Sequence, residues 1–372
     1  MLCDSLLGER QFNLELLTIW LTRYLPNLEL IPCQVSDPIH GRFSVVISEE
    51  ARQLTRKKVL VGLASYCTLS GLKAQQLMMP EADNSLRIIE AQKITNQVVA
   101  IYRYLIDAYT TDFLFVPLLK HLNAVGSDQS KQIVVLKILP AFNRLMRGLA
   151  PLLKGLKKIA KASKQLRTIG FLTTQIHLSR QRILNRLSLY ERIWLAPYFQ
   201  LAEELLCIPW QRVCEAASQY SPHSSVAAVV TKMLPMTDAI AMAVYQRVLR
   251  VYPRHTSRQG HIQSVAVQTS MIRDLNKFQL YIWLSLLENN LSVIRRELLP
   301  LSVLVLPCSD VCWQLVQHCI QWLGEEIHPY LTPHETLMVS SYIKPIQRLF
   351  KQTSPEQIDL AEISSQLCME LV

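Results

Sequence analysis

Residues 148–171 read GLAPLLKGLKKIAKASKQLRTIGF, and this stretch carries six positive charges and no acidic residue. On a helix at about 100° per residue, five lysines fall within about 120° of one another. They are Lys154, Lys157, Lys158, Lys161 and Lys164. The opposite side is apolar: Leu149, Leu152, Leu153, Leu156, Ile159, Ala160 and Leu166. The pattern predicts an amphipathic helix that packs on its leucine face and carries a lysine face.

The composition extends this helical pattern to the whole chain of 372 residues. Half of the residues are hydrophobic, which is enough for a sizeable core, and glycine occurs only 10 times, which is few for hairpin-rich folds. We therefore predict an all-α multi-helix bundle. Polar and turn-forming residues cluster at 121–132, so we expect an N-terminal helical region over 1–125 and a C-terminal helical domain over 126–372.

Proline and glycine set the expected ends of the helices around the lysine face. Pro151 suits the first turn of a helix, where its missing N–H costs nothing. Gly170 suits the end of a helix. The sequence therefore predicts one helix over about 133–147 and a second helix over about 150–168.

The charge of the chain is uneven. The 39 basic and 29 acidic residues give a net charge of +10, and residues 129–190 contain thirteen bases and no acid. The remainder has 26 bases against its 29 acids and is almost neutral. This asymmetry indicates a basic segment, 129–190, on a near-neutral body.

A second basic locus lies in the stretch RVLRVYPRHTSRQGH, residues 247–261. Its arginines are Arg247, Arg250, Arg254 and Arg258. Guanidinium groups of this kind bind carboxylate or phosphate with two hydrogen bonds. The alternative is a solvated loop whose charges favour the C-terminal end of a helix.

Three interpretations of the lysine face remain open. The lysines are simply solvated, or they bind an anionic partner, or they pair with acids of the same chain, for example in the glutamate-rich C-terminal part. No aromatic residue lies between Phe142 and Phe171. Since nucleic-acid sites use aromatic stacking and membrane-surface helices place aromatics at the boundary, an acidic protein face suits the pattern better than nucleic acid does.

Two helix starts share a capping box, SLYE at 188–191 and TPHE at 332–335. The similarity continues over residues 187–205 and 331–349, at a constant spacing of 144 residues. A duplicated helical hairpin explains this, and so does chance in a leucine-rich chain. A third box, SPEQ, begins at Ser354.

Three segments resemble a group of helical proteins from cyanobacteria. They are RTIGFLTTQIHLS, APYFQLAEELLCIPWQRVCEAA and SMIRDLNKFQLYIWLSLLE, and the resemblance covers about residues 130–350. It implies a helical fold and supplies no functional residue.

Candidate chemical sites are few. Cys308, Cys312 and Cys319, with His318 and His328, lack the CxxC spacing of structural zinc sites, so buried inert thiols are the expectation. Cys207 precedes Pro209, a plausible first-turn residue, and is therefore the best candidate for a reactive thiol. Phosphate-loop, dinucleotide and zinc-protease motifs are absent, so we expect no cofactor and no metal.

These observations predict a non-catalytic interaction or regulatory protein of the cytoplasm, where it lies free or at the periphery of a membrane. The nine scattered cysteines favour a reducing compartment, and no window suggests a secretory signal or a transmembrane segment. The expected partner is an acidic protein face or a membrane surface. The expected anion-binding residues are Lys154, Lys157, Lys158, Lys161, Lys164, Arg167, Arg247, Arg250, Arg254 and Arg258. A nucleic-acid-associated regulator and an enzyme of unrecognised type are the alternatives.

Overall fold

The computed structural model describes residues 14–26, 48–78, 88–115, 128–162, 166–221, 223–353 and 355, and nearly all of these residues lie in helices. The first six helices are α1 Leu14–Thr22, α2 Glu49–Met78, α3 Ile88–Thr111, α4 Asp128–Ala162, α5 Leu166–Leu184 and α6 Leu189–Cys207. The prediction of an all-α multi-helix fold is confirmed.

The later elements are α7 Trp210–Ser218, α8 Ser225–Met233, α9 Thr237–Val251, α10 Val265–Leu287, α11 Leu299–Cys308, α12 Trp313–Ile327 and α13 Pro333–Gln352. Short 3-10 turns cover Leu234–Met236 and His328–Tyr330, and a π-helical turn covers Ile294–Leu298. A two-stranded antiparallel hairpin, β1 Thr256–Ser257 and β2 Gly260–His261, lies in the second basic locus.

The chain forms two compact units. The first contains Met1–Ala74, Leu86–Ala160 and Phe171–Cys207, and the second contains Gln75–Ser85, Lys161–Gly170 and Ile208–Val372. The boundary expected near residue 125 stays a prediction.

Helix α4 corrects the prediction of two helices in its region. It runs without a break from Asp128 to Ala162 and holds both Pro140 and Pro151 in its interior. Both prolines are exposed, so the helix carbonyls that they leave without a partner lie on a side that water reaches. Pro151 therefore does not mark a helix start, because a proline on a solvated face costs less than separating two well-packed apolar faces.

The core of the first unit contains the leucine face of α4. Leu149 and Leu156 are fully buried, and Leu153 is almost so. Nearer the N-terminus of the same helix, Phe142 packs against two aromatic rings of α1, those of Trp20 and Tyr24. These contacts direct the opposite side of α4 to solvent.

The core of the second unit centres on α10, which packs against α7, α9 and α13. Trp283 and Leu284 of α10 are fully buried. In the hairpin beside it, Gly260 has φ of +129°, a conformation that residues with a side chain rarely adopt.

One helical stretch among the described residues, Ser225–Val251, is long and apolar enough to cross a membrane by length and composition. Half of its apolar window is buried inside the protein, and its α9 part packs against α10 and α12. The stretch has the contacts of a core helix, and the expected lack of a transmembrane segment stays a prediction.

Both predicted capping boxes are formed. The Ser188 amide donates to Glu191 at 2.8 Å, and the Thr332 amide donates to Glu335 at 2.7 Å. Each carboxylate also accepts from a lysine of another helix at 2.7 Å, Lys58 for Glu191 and Lys232 for Glu335. The third box lies outside the described residues.

The two similar segments differ beyond their caps. The buried hydroxyl of Tyr198 accepts a hydrogen bond from the Leu114 amide at 2.8 Å, whereas the half-buried hydroxyl of Tyr342 donates to Asn289. The proposed duplication of a helical hairpin stays a prediction.

Candidate docking surface

The solvent-facing side of α4 carries a line of basic residues that we call the basic ridge. Its members are Lys137, Arg144, Arg147, Lys154 and Lys158, and all five are exposed. On a helix that rises about 1.5 Å per residue, the ridge is about 32 Å long. At about 100° per residue its members fall within an arc of about 100°.

The ridge residues occupy a stripe with alternating spacings of three and four residues. The positions of this stripe are Ile133, Lys137, Pro140, Arg144, Arg147, Pro151, Lys154 and Lys158. A three-four stripe follows one line along a helix over many turns. The positive charges are therefore aligned rather than spread around the helix.

Helix α3 sets which side of α4 faces outward. The Tyr104 hydroxyl donates to the Leu145 carbonyl at 3.1 Å, and the Gln97 amide donates to the Leu152 carbonyl at 2.9 Å. The order of these contacts shows that α3 and α4 are antiparallel.

Two glycines of α4, seven residues apart, make this approach of α3 fit. A Cβ on Gly148 would lie 2.1 Å from the Tyr104 hydroxyl, and a Cβ on Gly155 would lie 3.1 Å from the Gln97 amide nitrogen. The two glycines thus fix the rotation of α4, and with it the direction of the basic ridge.

Three members of the ridge have no ion pair. In the described part of the chain, no carboxylate lies within ion-pair distance of Arg147, Lys154 or Lys158. Arg144 is different, because two of its nitrogens donate to Asp112 at 2.8 Å. These hydrogen bonds, together with the charge of the carboxylate, raise the pKa of Arg144. The pair is exposed on both sides and is therefore weak.

The structure places only part of the predicted lysine face. Lys154 and Lys158 are exposed, and Lys157 is half-buried. Lys164 and the side chains of Lys161 and Arg167 lie outside the described residues.

Lys137, Arg144 and Arg147 lie outside the predicted set of site residues, because a helix end was expected before Pro151. The three-four spacing, continued through that proline, is the signal that would have found them.

The second basic locus differs from the ridge in its pairing. Arg247 donates to Glu325 at 2.5 Å and to Glu326 at 3.1 Å, and its guanidinium lies 5.1 Å from the centre of the Trp322 ring. Burial lowers the pKa of Arg247, but the hydrogen bonds to the two carboxylates outweigh it and raise the pKa. The predicted anion site is thus occupied by acids of the same unit at this position.

The other arginines of this locus divide into two kinds. Arg258 pairs with Asp310 at 3.1 Å. Arg250 and Arg254 are exposed and have no ion pair to any residue that the structure describes. Arg250 donates to the Gln246 carbonyl at 3.4 Å.

Acidic residues of the C-terminal part form ion pairs with bases of their own unit, the second one. Glu325 and Glu326 bind Arg247, and Glu335 binds Lys232.

The candidate thiols lie in settings other than those expected. Cys207 is the last residue of α6, and Pro209 caps α7 from outside the helix, so this thiol is not at a helix N-terminus. Of the three cysteines expected to be buried, Cys319 is buried, whereas Cys308 at the end of α11 is half-buried and Cys312 at the start of α12 is exposed. Among the residues described, no group of three or more His, Cys, Asp and Glu side chains could hold a metal ion.

The adjacent buried acids of α6 each have their own partners. Glu203 binds His177 at 2.7 Å and Arg180 at 2.8 Å. Glu204 accepts from Arg23 and from the Tyr24 hydroxyl, both at 2.8 Å. The two carboxylates therefore act as separate structural pairs and not as a catalytic dyad.

Comparison with models of protein families, with curated proteins and with solved structures found no match.

Proposed function

We propose that this chain is a binding protein that docks an acidic protein surface through the basic ridge. The observation that carries the proposal is that Arg147, Lys154 and Lys158 share one exposed helix face and have no ion pair to any residue that the structure describes. Aligned positive charges repel one another, and an anionic partner relieves that repulsion when it binds.

An acidic protein suits the ridge face better than nucleic acid or a membrane does. The exposed positions of this face hold lysine, arginine, proline, alanine, isoleucine and leucine, and no aromatic residue. Single-stranded nucleic acid is bound by stacking on aromatic rings, and interfacial helices anchor through tryptophan or phenylalanine. A regulatory role and a cytoplasmic location stay predictions from the sequence.

Binding of the full chain to three anionic probes tests the proposal. The probes are poly-L-glutamate, vesicles of phosphatidylserine and phosphatidylcholine, and a short DNA duplex, each at low and high salt. We expect the tightest binding to poly-L-glutamate, with an affinity that falls as salt rises. Preferred binding to the vesicles or to the duplex would overturn the choice of an acidic protein partner.

Charge reversal on the ridge identifies the surface. The variant Arg147→Glu, Lys154→Glu, Lys158→Glu should lose about a hundredfold in affinity for poly-L-glutamate. A matched control reverses Lys57, Lys73 and Lys93, three exposed lysines without ion pairs in the described chain, and changes the net charge equally. Wild-type binding by the ridge variant, or an equal loss in the control, would contradict the proposal. Circular dichroism verifies that both variants are folded.

A further inference from the structure

We infer that the partner presents an acidic amphipathic α-helix that lies along the basic ridge, antiparallel to α4. This inference rests on the proposed function and concerns the secondary structure and direction of the partner.

The spacing of the ridge matches the repeat of another helix. Lys137 and Arg144 are seven residues apart, as are Arg147 and Lys154, which corresponds to about 10.5 Å along the axis. A partner helix with carboxylates at three-four spacing repeats at the same interval. An extended strand places side chains on one face about every 6.6 Å, and each DNA strand has a phosphate about every 3.4 Å. The helix is the one of these three whose repeat equals the seven-residue interval of the ridge.

The apolar members of the stripe add a requirement for apolar contact. Pro140 and Pro151 are exposed between the basic residues, and about half of the surface of Ile133, and of Leu136 next to the stripe, is accessible. A partner with charges alone would leave this surface uncovered. An amphipathic helix covers it with alanine or leucine side chains while its carboxylates reach the bases.

The two halves of the ridge differ in their balance of basic and apolar residues, and this difference favours one direction of the partner helix relative to α4. Arg147, Lys154 and Lys158, which pair with no acid in the described ranges, lie in the C-terminal half of α4, and the exposed Ile133 and Leu136 lie near its N-terminal end. The partner must therefore place its acids opposite the C-terminal half of α4.

In an antiparallel arrangement, those acids occupy the N-terminal half of the partner helix. Acidic side chains near a helix N-terminus stabilise that helix through its macrodipole. The antiparallel direction also aligns the two helix dipoles favourably. The partner therefore carries acids in its N-terminal half and apolar residues in its C-terminal half.

Two synthetic peptides of equal length and composition test the inference with the full chain. The phased peptide has glutamates at three-four spacing in its N-terminal half and leucines at the same spacing in its C-terminal half. The scrambled peptide has the same residues without period. We expect the phased peptide to bind about tenfold more tightly. We also expect its helical circular dichroism signal to rise on binding.

The outcomes separate the two proposals. Equal affinity of the peptides, with a loss of both in the ridge-reversal variant, leaves the proposed function intact and overturns the helical partner. A phased peptide that binds without becoming helical also overturns it. Peptide binding that the ridge reversal does not change overturns both proposals. A peptide with the phased sequence in reverse order tests the direction, and binding as tight as that of the phased peptide overturns the antiparallel arrangement.

Discussion

The basic ridge of α4 and the arginines around the hairpin differ in what lies opposite their positive charges. Arg147, Lys154 and Lys158 face solvent on a helix that has no acidic residue after Asp128. Arg247 and Arg258 face carboxylates of α12 and of the turn that precedes it. Both loci are basic in the sequence, but within the described chain the ridge leaves three bases of one helix face without an ion pair, whereas the second locus has Arg247 and Arg258 neutralised and leaves Arg250 and Arg254 without one.

The difference shows that a high density of basic residues in the sequence does not tell which of those charges are free to bind another molecule. The acids that neutralise Arg247 come 78 and 79 residues later in the chain, and folding brings them to hydrogen-bond distance. A carboxylate of the same unit needs no association step, so it competes effectively with any outside ligand. A free surface charge is therefore recognised by the absence of a folded-state partner.

The largest expected effect is on an ion pair of the second unit in which the carboxylate is buried and the guanidinium is partly exposed. Glu297 is almost fully buried and accepts from two nitrogens of Arg212, at 2.7 and 3.1 Å, and from the Tyr281 hydroxyl at 3.0 Å. Arg212→Ala leaves this carboxylate without its cation and should cost about 2 kcal/mol in the free energy of unfolding, since the guanidinium is partly solvated. Urea unfolding measures it, and a loss below about 1 kcal/mol would contradict this account of the pair.

The next effect compares the two basic loci directly. Arg247→Ala removes two exposed or half-exposed ion pairs and the stacking on Trp322, and should cost about 1 to 1.5 kcal/mol. Lys154→Ala removes no ion pair with a described residue and should change the free energy of unfolding by less than about 0.5 kcal/mol. If the two variants lost equal free energies of unfolding, the distinction between a base paired within the fold and a base available to a partner would be wrong.

The capping box of α13 gives a pH-dependent effect. Hydrogen bonds from Lys232 and from the Thr332 amide lower the pKa of Glu335. A carboxyl whose pKa is lower in the folded state contributes stability above its ordinary pKa of about 4.3, and this contribution is lost as pH falls through the lower folded value.

Glu335→Gln should therefore lower the thermal midpoint near about pH 7 by an amount that disappears near about pH 3. The neutral side chain keeps the hydrogen-bonding part of the box, so the expected cost at neutral pH is only about 0.5 kcal/mol. A variant whose deficit persists undiminished in acid would show that the charge is not the source of the effect.

The smallest effect concerns the two unpaired arginines of the second locus. Arg250→Glu with Arg254→Glu should change neither the free energy of unfolding by more than about 0.5 kcal/mol nor the affinity for poly-L-glutamate by more than about twofold. Two charges without aligned neighbours do not form a continuous docking surface. Binding loss equal to that of the ridge reversal would show that both loci serve the partner.

Much of the helical fold could be predicted from the sequence because helix formation depends on local patterns. The leucine spacing around Leu149 and Leu156 indicated the buried face of α4, and Ser188 and Thr332 marked two helix starts through their capping partners three residues away. The break at Pro151 was wrong, since the cost of an interior proline depends on whether its side of the helix is solvated.

The candidate site was predicted only in part for a related reason. Lys154 and Lys158 were found because they lie in a dense charge run, whereas Arg147 was missed on the other side of the proline. Arg247 was predicted to bind an external anion, although its guanidinium forms ion pairs with Glu325 and Glu326. Sequence spacing shows which charges share a helix face. It does not show which acidic residues, far away in the sequence, form ion pairs with them.

By itself, the sequence determined the helical class, the amphipathic nature of α4 and the concentration of positive charge in residues 129–190, because these follow from residue types at short spacing. Only the tertiary structure decided that α4 continues through Pro151, that Gly148 and Gly155 turn its basic side outward, and that the hairpin arginines are partly neutralised. Those features depend on packing and on ion pairs between residues far apart in the chain, and the interaction of such residues is set by the folded geometry.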